Sequence, residues 1–145
     1  NALKSNHIVI INDDVFKNEI QKCLLKAAVP PHLKVDIFSV DGFNLDLESP
    51  VMNDRRTIIL LTNPKDCLKL VQKGFKTGSI NVGGMRHSTG KKEITTSIFL
   101  NEEDINDFKK LEEMGIKIEV RMVPADKGID IFECITRGVC KIEKN

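Results

Sequence analysis

The residues best suited to chemistry lie in one loop. The apolar run Ile80–Val82 stops at Gly83 and Gly84, and the chain then opens through Met85 into Arg86, His87, Ser88, Thr89, Gly90, Lys91 and Lys92. Two adjacent glycines let the backbone turn sharply and bring its N–H groups near a ligand. Arg86, Lys91 and Lys92 add positive charge to the same loop, and the combination suits a phosphoryl group. The same residues also fit a plain strand-end turn with solvated lysines, since short glycine motifs are weak on their own. Two acidic residues, Asp13 and Asp14, and the pair Asn63-Pro64 stand at other strand ends and form further candidate loops.

The elements that position these loops follow from apolar spacing. His7–Asn12, ending in Asp13-Asp14, and Thr57–Thr62 are continuous β-branched or apolar runs, the pattern of strands buried on both faces of a parallel sheet. Asp13 or Asp14 is expected to cap the helix that follows, in which Phe16, Ile20, Cys23, Leu24 and Ala27 recur at helical spacing up to Pro30-Pro31. Lys34–Val40 reads as a second strand and Asp41–Asn53 as a weakly patterned segment. Asn63-Pro64 starts a helix in the preferred order of N-cap and first helical residue, with Leu68, Val71 and Phe75 inward and Gly78 breaking before the strand Ser79–Val82. Glu93–Leu100 reads as a strand suited to a sheet edge. Asn101 opens a helix whose first-turn acids, Glu102, Glu103 and Asp104, complement the helix dipole. Its stripe is Ile105, Phe108, Leu111 and Met114, and Gly115 ends it. Lys117–Val123 is a further strand, and Asp126–Arg137 a final helix terminated by Gly138.

Strands alternating with helices predict an α/β fold: an open, mostly parallel β-sheet with helices on both faces and room for one antiparallel edge strand. In such folds ligands bind outside the carboxyl ends of the strands, where all three candidate loops fall. At 145 residues the chain suits one domain. A net charge of +1 argues against a general nucleic-acid binder. No apolar run nears the ~20 residues that span a bilayer. Cys23, Cys67, Cys134 and Cys140 show no metal-like spacing; they read as buried free thiols, and neither metal nor cofactor is expected. A cytoplasmic protein is the expectation.

Several blocks occur in a recognisable order: Ile10-Ile11-Asn12-Asp13-Asp14, Ala27-Ala28-Val29-Pro30-Pro31, Thr62-Asn63-Pro64-Lys65-Asp66, Asn81-Val82-Gly83-Gly84-Met85, Leu100-Asn101-Glu102-Glu103-Asp104 and Arg121-Met122-Val123-Pro124. Together they resemble the IIB component of the mannose/fructose/sorbose branch of the bacterial phosphoenolpyruvate-dependent sugar phosphotransferase system. The resemblance covers nearly the whole chain and is most specific at Asn81–Met85. It implies a cytoplasmic phosphocarrier that takes a phosphoryl group on a histidine from phosphorylated IIA and passes it to a sugar entering through membrane-embedded IIC and IID. An imidazole nucleophile suits that relay, and donors around the phosphoryl oxygens supply positioning and charge stabilisation. Backbone near Gly83 and Gly84, with Arg86, suits the second role.

The family's histidine lies after its first strand in an Arg-(Leu/Phe)-Ile-His-Gly-Gln pattern, which residues 1–145 do not contain. The expectation is therefore one IIB domain over 1–145 lacking that strand and loop, with the catalytic histidine unassigned. Of the histidines present, His7 and His32 read as surface or packing residues, and His87 is the candidate for direct phosphoryl chemistry. Asp13 and Asp14 suit either a helix cap or a role in orienting an imidazole. The alternative function is a non-catalytic binding or regulatory module with the same fold. A flavodoxin-like nucleotide-binding domain is disfavoured because neither GxGxxG nor a Walker pattern appears. The sugar is not legible in the sequence, and homo-oligomerisation stays open.

Overall fold

The structure, a computed structural model, describes residues 6–43, 57–121 and 127–144, with side chains of the last helix described through 137. In order the elements are β1 (His7–Ile11), α1 (Asp13–Lys17), α2 (Glu19–Ala28), β2 (Lys34–Phe38), β3 (Thr57–Leu60), α3 (Pro64–Gln72), β4 (Ser79–Val82), β5 (Lys92–Thr95), β6 (Ile98–Leu100), α4 (Glu102–Glu113), β7 (Lys117–Val120), β8 (Ile129–Asp130) and α5 (Ile131–Lys144). The chain divides into two compact units, Asn1–Thr62 with Lys69–Phe75, and Asn63–Leu68 with Lys76–Asn145.

The first unit is built on a parallel sheet of order β2-β1-β3. His7 pairs with Lys34 on one side and Thr57 on the other, so β1 is the central strand. Alternation sends Val9 and Ile11, both fully buried, to one face, where they pack with Val40, Phe43 and Leu70. Ile8 and Ile10 point the other way, toward Val15, Val35, Ile37, Leu25 and Val29. Both faces of the sheet are therefore covered, as the continuous apolar run of β1 predicts. At the amino ends of the strands His7 is buried, with Nε2 2.7 Å from Asp36 Oδ2 and Nδ1 3.4 Å from Thr57 Oγ1. It is a packing residue, whereas His32 is exposed.

The expected helix from Asp13 to Ala28 is two helices. Asn18 is extended (φ −101°, ψ 98°), accepts the Gln21 N–H on its side chain, and ends α1 while capping α2. That break resets the helical phase, so Val15 and then Leu25 face the sheet. The stripe read as buried turns outward: Phe16, Ile20 and Leu24 are 40%, 75% and 65% exposed, and Cys23 and Ala27 are exposed with them.

The second unit holds a three-stranded sheet of order β4-β7-β8 and the antiparallel pair β5-β6. β4 and β7 run parallel, β8 antiparallel to β7. Glu93–Leu100 is thus a hairpin and not one strand: the Thr95 hydroxyl accepts the Ser97 N–H at 3.3 Å, a local bond that favours a turn over an extended ladder. The last helix begins later than expected, because Asp130 Oδ1 accepts the Phe132 N–H at 2.8 Å, and it runs through Gly138 to Lys144. A mid-helix glycine costs about 1 kcal/mol, too little to stop it. Gly115, at φ +88°, does end α4. Positions 44–53 of the weakly patterned segment, and positions 122–123 of the strand expected after α4, lie outside the described residues.

The thiols divide by burial. Cys67 and Cys134 are buried, while Cys23 is exposed on α2, which corrects the expectation of a buried thiol there; the side chain of Cys140 is outside the described residues. Burial pushes the Cys67 thiol up to about 11 and raises that of Cys134, with Glu133 adding to the effect. Because the thiolate is the reactive form, alkylation of native protein near pH 8 should modify Cys23 first, with Cys67 slower by about two orders of magnitude. Peptide mapping after timed iodoacetamide treatment checks this; equal rates for the two would contradict the packing described.

Candidate functional site

In the first unit the carboxyl ends of β1, β2 and β3 are tied together by side chains. Asn12, not Asp13 or Asp14, caps α1: its Oδ1 accepts the Val15 N–H at 2.8 Å. Its extended backbone (φ −161°) places it outside the helix and leaves the two acids in the first turn. Asn12 Nδ2 donates to Thr62 Oγ1 at 2.7 Å, and its N–H donates to the Phe38 carbonyl at 3.0 Å. One residue therefore joins the ends of all three strands. Asp13 Oδ1 accepts the Val40 N–H at 2.8 Å, while Lys73 Nζ donates to the Val40 carbonyl at 3.1 Å. Asp13 thus fastens the turn after β2, and Asp14 is exposed.

In the second unit Asn63 behaves as its sequence predicts. Its Oδ1 accepts the Asp66 N–H at 2.8 Å and its Nδ2 donates back to Asp66 Oδ2 at 3.2 Å, which starts α3 at Pro64. The glycine pair sits at the end of β4 as expected, but for another reason. Neither Gly83 nor Gly84 has a positive φ. Space matters at Gly84 instead, where a Cβ would lie 3.4 Å from the Ser97 carbonyl oxygen. The chain comes that close because Met85 joins the hairpin: its N–H donates to the Ser97 carbonyl and its own carbonyl accepts the Phe99 N–H, both at 2.9 Å. Met85 is buried, so it anchors the loop and its backbone is unavailable to a ligand.

Beyond Met85 the loop projects. Arg86, His87, Ser88 and Thr89 are exposed. The His87 ring meets the Phe99 ring edge-on, with centroids 5.3 Å apart. The Lys91 N–H closes a turn on the Ser88 carbonyl at 3.1 Å, through Gly90 at φ +86°. Lys91 itself does not extend into solvent: its Nζ lies 3.0 Å from Asp104 Oδ2, with the two side chains only 17% and 11% exposed. Asp104 Oδ2 also accepts the Asn101 N–H at 3.1 Å, while Asn101 Oδ1 accepts the Asp104 N–H at 2.8 Å, a reciprocal capping box at the start of α4. The sequence signal was present in the Asn101-x-x-Asp104 spacing; the partner of Lys91 was not.

The charges of the loop are therefore unequal. Arg121 and Arg137 pair with Glu119 and Glu133, but among the described residues no carboxylate pairs with Arg86. Lys91 is neutralised by Asp104, and Lys92 is exposed at the start of β5. Nearby on α4, Glu103 accepts a bond from Lys65 Nζ at 3.1 Å and raises the Lys65 pKa. Asp107 is buried, with Oδ2 unpartnered among the described residues. Burial pushes its carboxyl above the usual range, and Glu103 pushes it the same way. A fixed loop with an unpaired guanidinium can hold a dianion by charge-assisted hydrogen bonds. Among the described residues no group of three His, Cys, Asp or Glu side chains could hold a metal ion, and no helix is long and apolar enough to cross a membrane.

Comparison with known proteins adds independent findings. Residues 1–145 match the family model described as the PTS system sorbose subfamily IIB component. The chain is 35% identical over 131 residues to the sorbose-specific EIIB component of Klebsiella pneumoniae, covering 90% of this chain and 80% of that protein. It is 33% identical over 132 residues to the mannose-specific EIIAB component of Escherichia coli K12, covering 91% of this chain and 41% of that longer protein. The crystal structure of the IIBSor domain of the sorbose permease from Klebsiella pneumoniae superposes with a TM-score of 0.84 at 34% identity, covering 92% of this chain and 82% of that one.

Proposed function

Since the chain belongs to the sorbose subfamily of phosphotransferase-system IIB components, we propose that it is a phosphocarrier, accepting a phosphoryl group on a histidine from a phosphorylated IIA partner and passing it to a sugar handled by IIC and IID. The observation that carries the proposal is the family match across the full 145 residues. A relative whose name joins an A and a B component supports the choice of donor.

The chemistry is a relay of two displacements. An imidazole nitrogen attacks phosphorus, the N–P bond to the donor histidine breaks, and the donor imidazole leaves. A sugar hydroxyl then attacks, the new N–P bond breaks, and the hydroxyl proton passes to the released imidazole or to water. Both steps rely on positioning and charge neutralisation more than on covalent help from the protein. Arg86, exposed and paired with no carboxylate among the described residues, is assigned to the phosphoryl oxygens, with Gly83, Gly84 and Met85 setting its place. Asn63, Asp13 and Asp14 are assigned to the other strand-end loops. A second reading is a non-catalytic binding or regulatory module that keeps the fold without transferring phosphate.

Intact-mass analysis after incubation with phosphoenolpyruvate, the general phosphotransferase proteins and a IIA protein separates these readings. Gain of one acid-labile phosphoryl group is expected if a nucleophile is within the chain, and its loss in His87→Ala would assign it. Labelling only when an upstream segment bearing the family's histidine pattern is joined to the chain supports the phosphocarrier with its nucleophile in that segment. No labelling of either form favours the non-catalytic module.

A further inference from the structure

The loop after β4 carries three lysine or arginine side chains, yet one of them is withdrawn from solvent. Lys91 is 17% exposed and paired at 3.0 Å with Asp104, itself 11% exposed, while its neighbours Gly90 and Lys92 are exposed. Drawing an ammonium and a carboxylate out of water has a desolvation cost that their attraction only partly offsets, so such a pair is weak evidence for stability. Its better-attested use is to fix one arrangement among several. Here the arrangement fixed is that of the loop. Met85 is held by two backbone bonds to the hairpin, and the ring of His87 rests on Phe99. Lys91 supplies the third point, on the far side of Arg86, Ser88 and Thr89. The carboxylate it meets is not free to wander, since the same oxygen receives the Asn101 N–H of the capping box.

We propose that Lys91 is a positioning residue for phosphoryl binding: by docking on Asp104 it holds the 86–90 loop so that Arg86 and the outward loop groups meet one phosphoryl group together. The assignment rests on the phosphocarrier reading for its ligand. Lys91 takes no part in contacting the anion; its charge is answered within the protein. A loop released from Asp104 keeps Arg86 but loses its fixed position, and small misplacements of a binding group are costly.

The test is titration of the 145-residue chain with inorganic phosphate, followed by amide shifts of residues 86–90 in nitrogen-proton correlation spectra, with chloride at matched ionic strength as control. In Lys91→Met the half-saturating phosphate concentration is expected to rise about tenfold, and hydrogen exchange of the same amides to quicken while β4 amides keep wild-type rates. Lys91→Arg retains the charge and should restore binding to within about twofold, a rescue that packing of an apolar side chain does not give. Asp104→Asn keeps an acceptor for the Asn101 N–H but removes the charge, and should weaken binding as Lys91→Met does. It decides the matter if Lys91→Met fails to fold. Wild-type affinity in either charge-removing variant overturns the assignment, and so does a wild-type loop whose amides ignore phosphate. In that last case labelling from phosphoenolpyruvate can still succeed, so the phosphocarrier reading stands or falls separately.

Discussion

Arg86→Ala is expected to slow phosphoryl transfer from phospho-IIA about a hundredfold, the usual loss when one preorganised donor is removed from a developing anionic charge. The expectation applies to whichever form of the chain carries the label. Three observations support it. Arg86 is exposed in a loop anchored at Met85 and Lys91. The described arginines other than Arg86 are engaged by glutamates. Lys91, the next lysine or arginine along the loop, is already answered by Asp104. Because Arg86 carries little of the packing, the melting temperature should stay close to wild type, as surface substitutions usually change stability by under about 0.5 kcal/mol. Arg86→Lys should recover only part of the rate, since an ammonium keeps the charge but not the planar fork that meets two oxygens. Single-turnover transfer, quenched and counted as labelled protein, gives the number. An unchanged rate in Arg86→Ala would remove it from the site.

Asp104→Ala is expected to destabilise the protein by about 3 kcal/mol, at the low end of the cost of breaking a buried ion pair. Two losses combine. The Asn101 N–H loses its side-chain acceptor, worth about 1 kcal/mol as a helix-cap contribution. The Lys91 ammonium is left largely enclosed with no carboxylate beside it, and it must either stay unpaired or pull the loop outward. Urea unfolding followed by circular dichroism measures the effect. Lys65–Glu103 provides the contrast on the same helix: that pair is exposed at both ends, and removing it should matter little, as for exposed pairs in general. A loss for Asp104→Ala no greater than that for Glu103→Ala would show that enclosure of the Lys91 pair contributes nothing.

Much of the fold was legible because burial leaves a local signature. The uninterrupted run at β1 predicted a strand covered on both faces, and its Val9/Ile11 and Ile8/Ile10 alternation does divide between two cores. The same reading fails at β3, which lies at the end of the sheet order with Thr57, Ile58 and Ile59 half-buried and Leu60 exposed. Asn63-Pro64 and Asn101 began helices where their chemistry said they should. The other failures share one cause, a local bond outweighing a pattern. Asn18 capped a second helix and shifted the phase of the apolar stripe. The Thr95 hydroxyl favoured a turn inside an apparent strand. Asn12 took the cap expected of Asp13 or Asp14, which left Asp13 to receive the Val40 N–H across 27 positions. For the glycine loop the place was legible and the reason was not. Its glycines do stand at a strand end, but neither is there for a left-handed turn, and Gly84 alone approaches Ser97, where a Cβ would lie 3.4 Å from the carbonyl oxygen. Nor does any spacing rule reveal that, of two adjacent lysines, Lys91 turns inward and Lys92 outward.

The division of the chain into two units runs through a helix. Pro64–Leu68 of α3 belong to the second unit, whereas Lys69–Gln72 belong with the first, to which they bring Leu70, 1% exposed against Val9, Ile11, Val40 and Phe43. A cut at the apparent junction after Thr62 would strip the first core of Leu70, and a cut after Phe75 would take from the second unit the turn that Asn63 begins. Neither unit is a contiguous stretch of sequence. A single cut at either place therefore divides one of the units rather than separating the two.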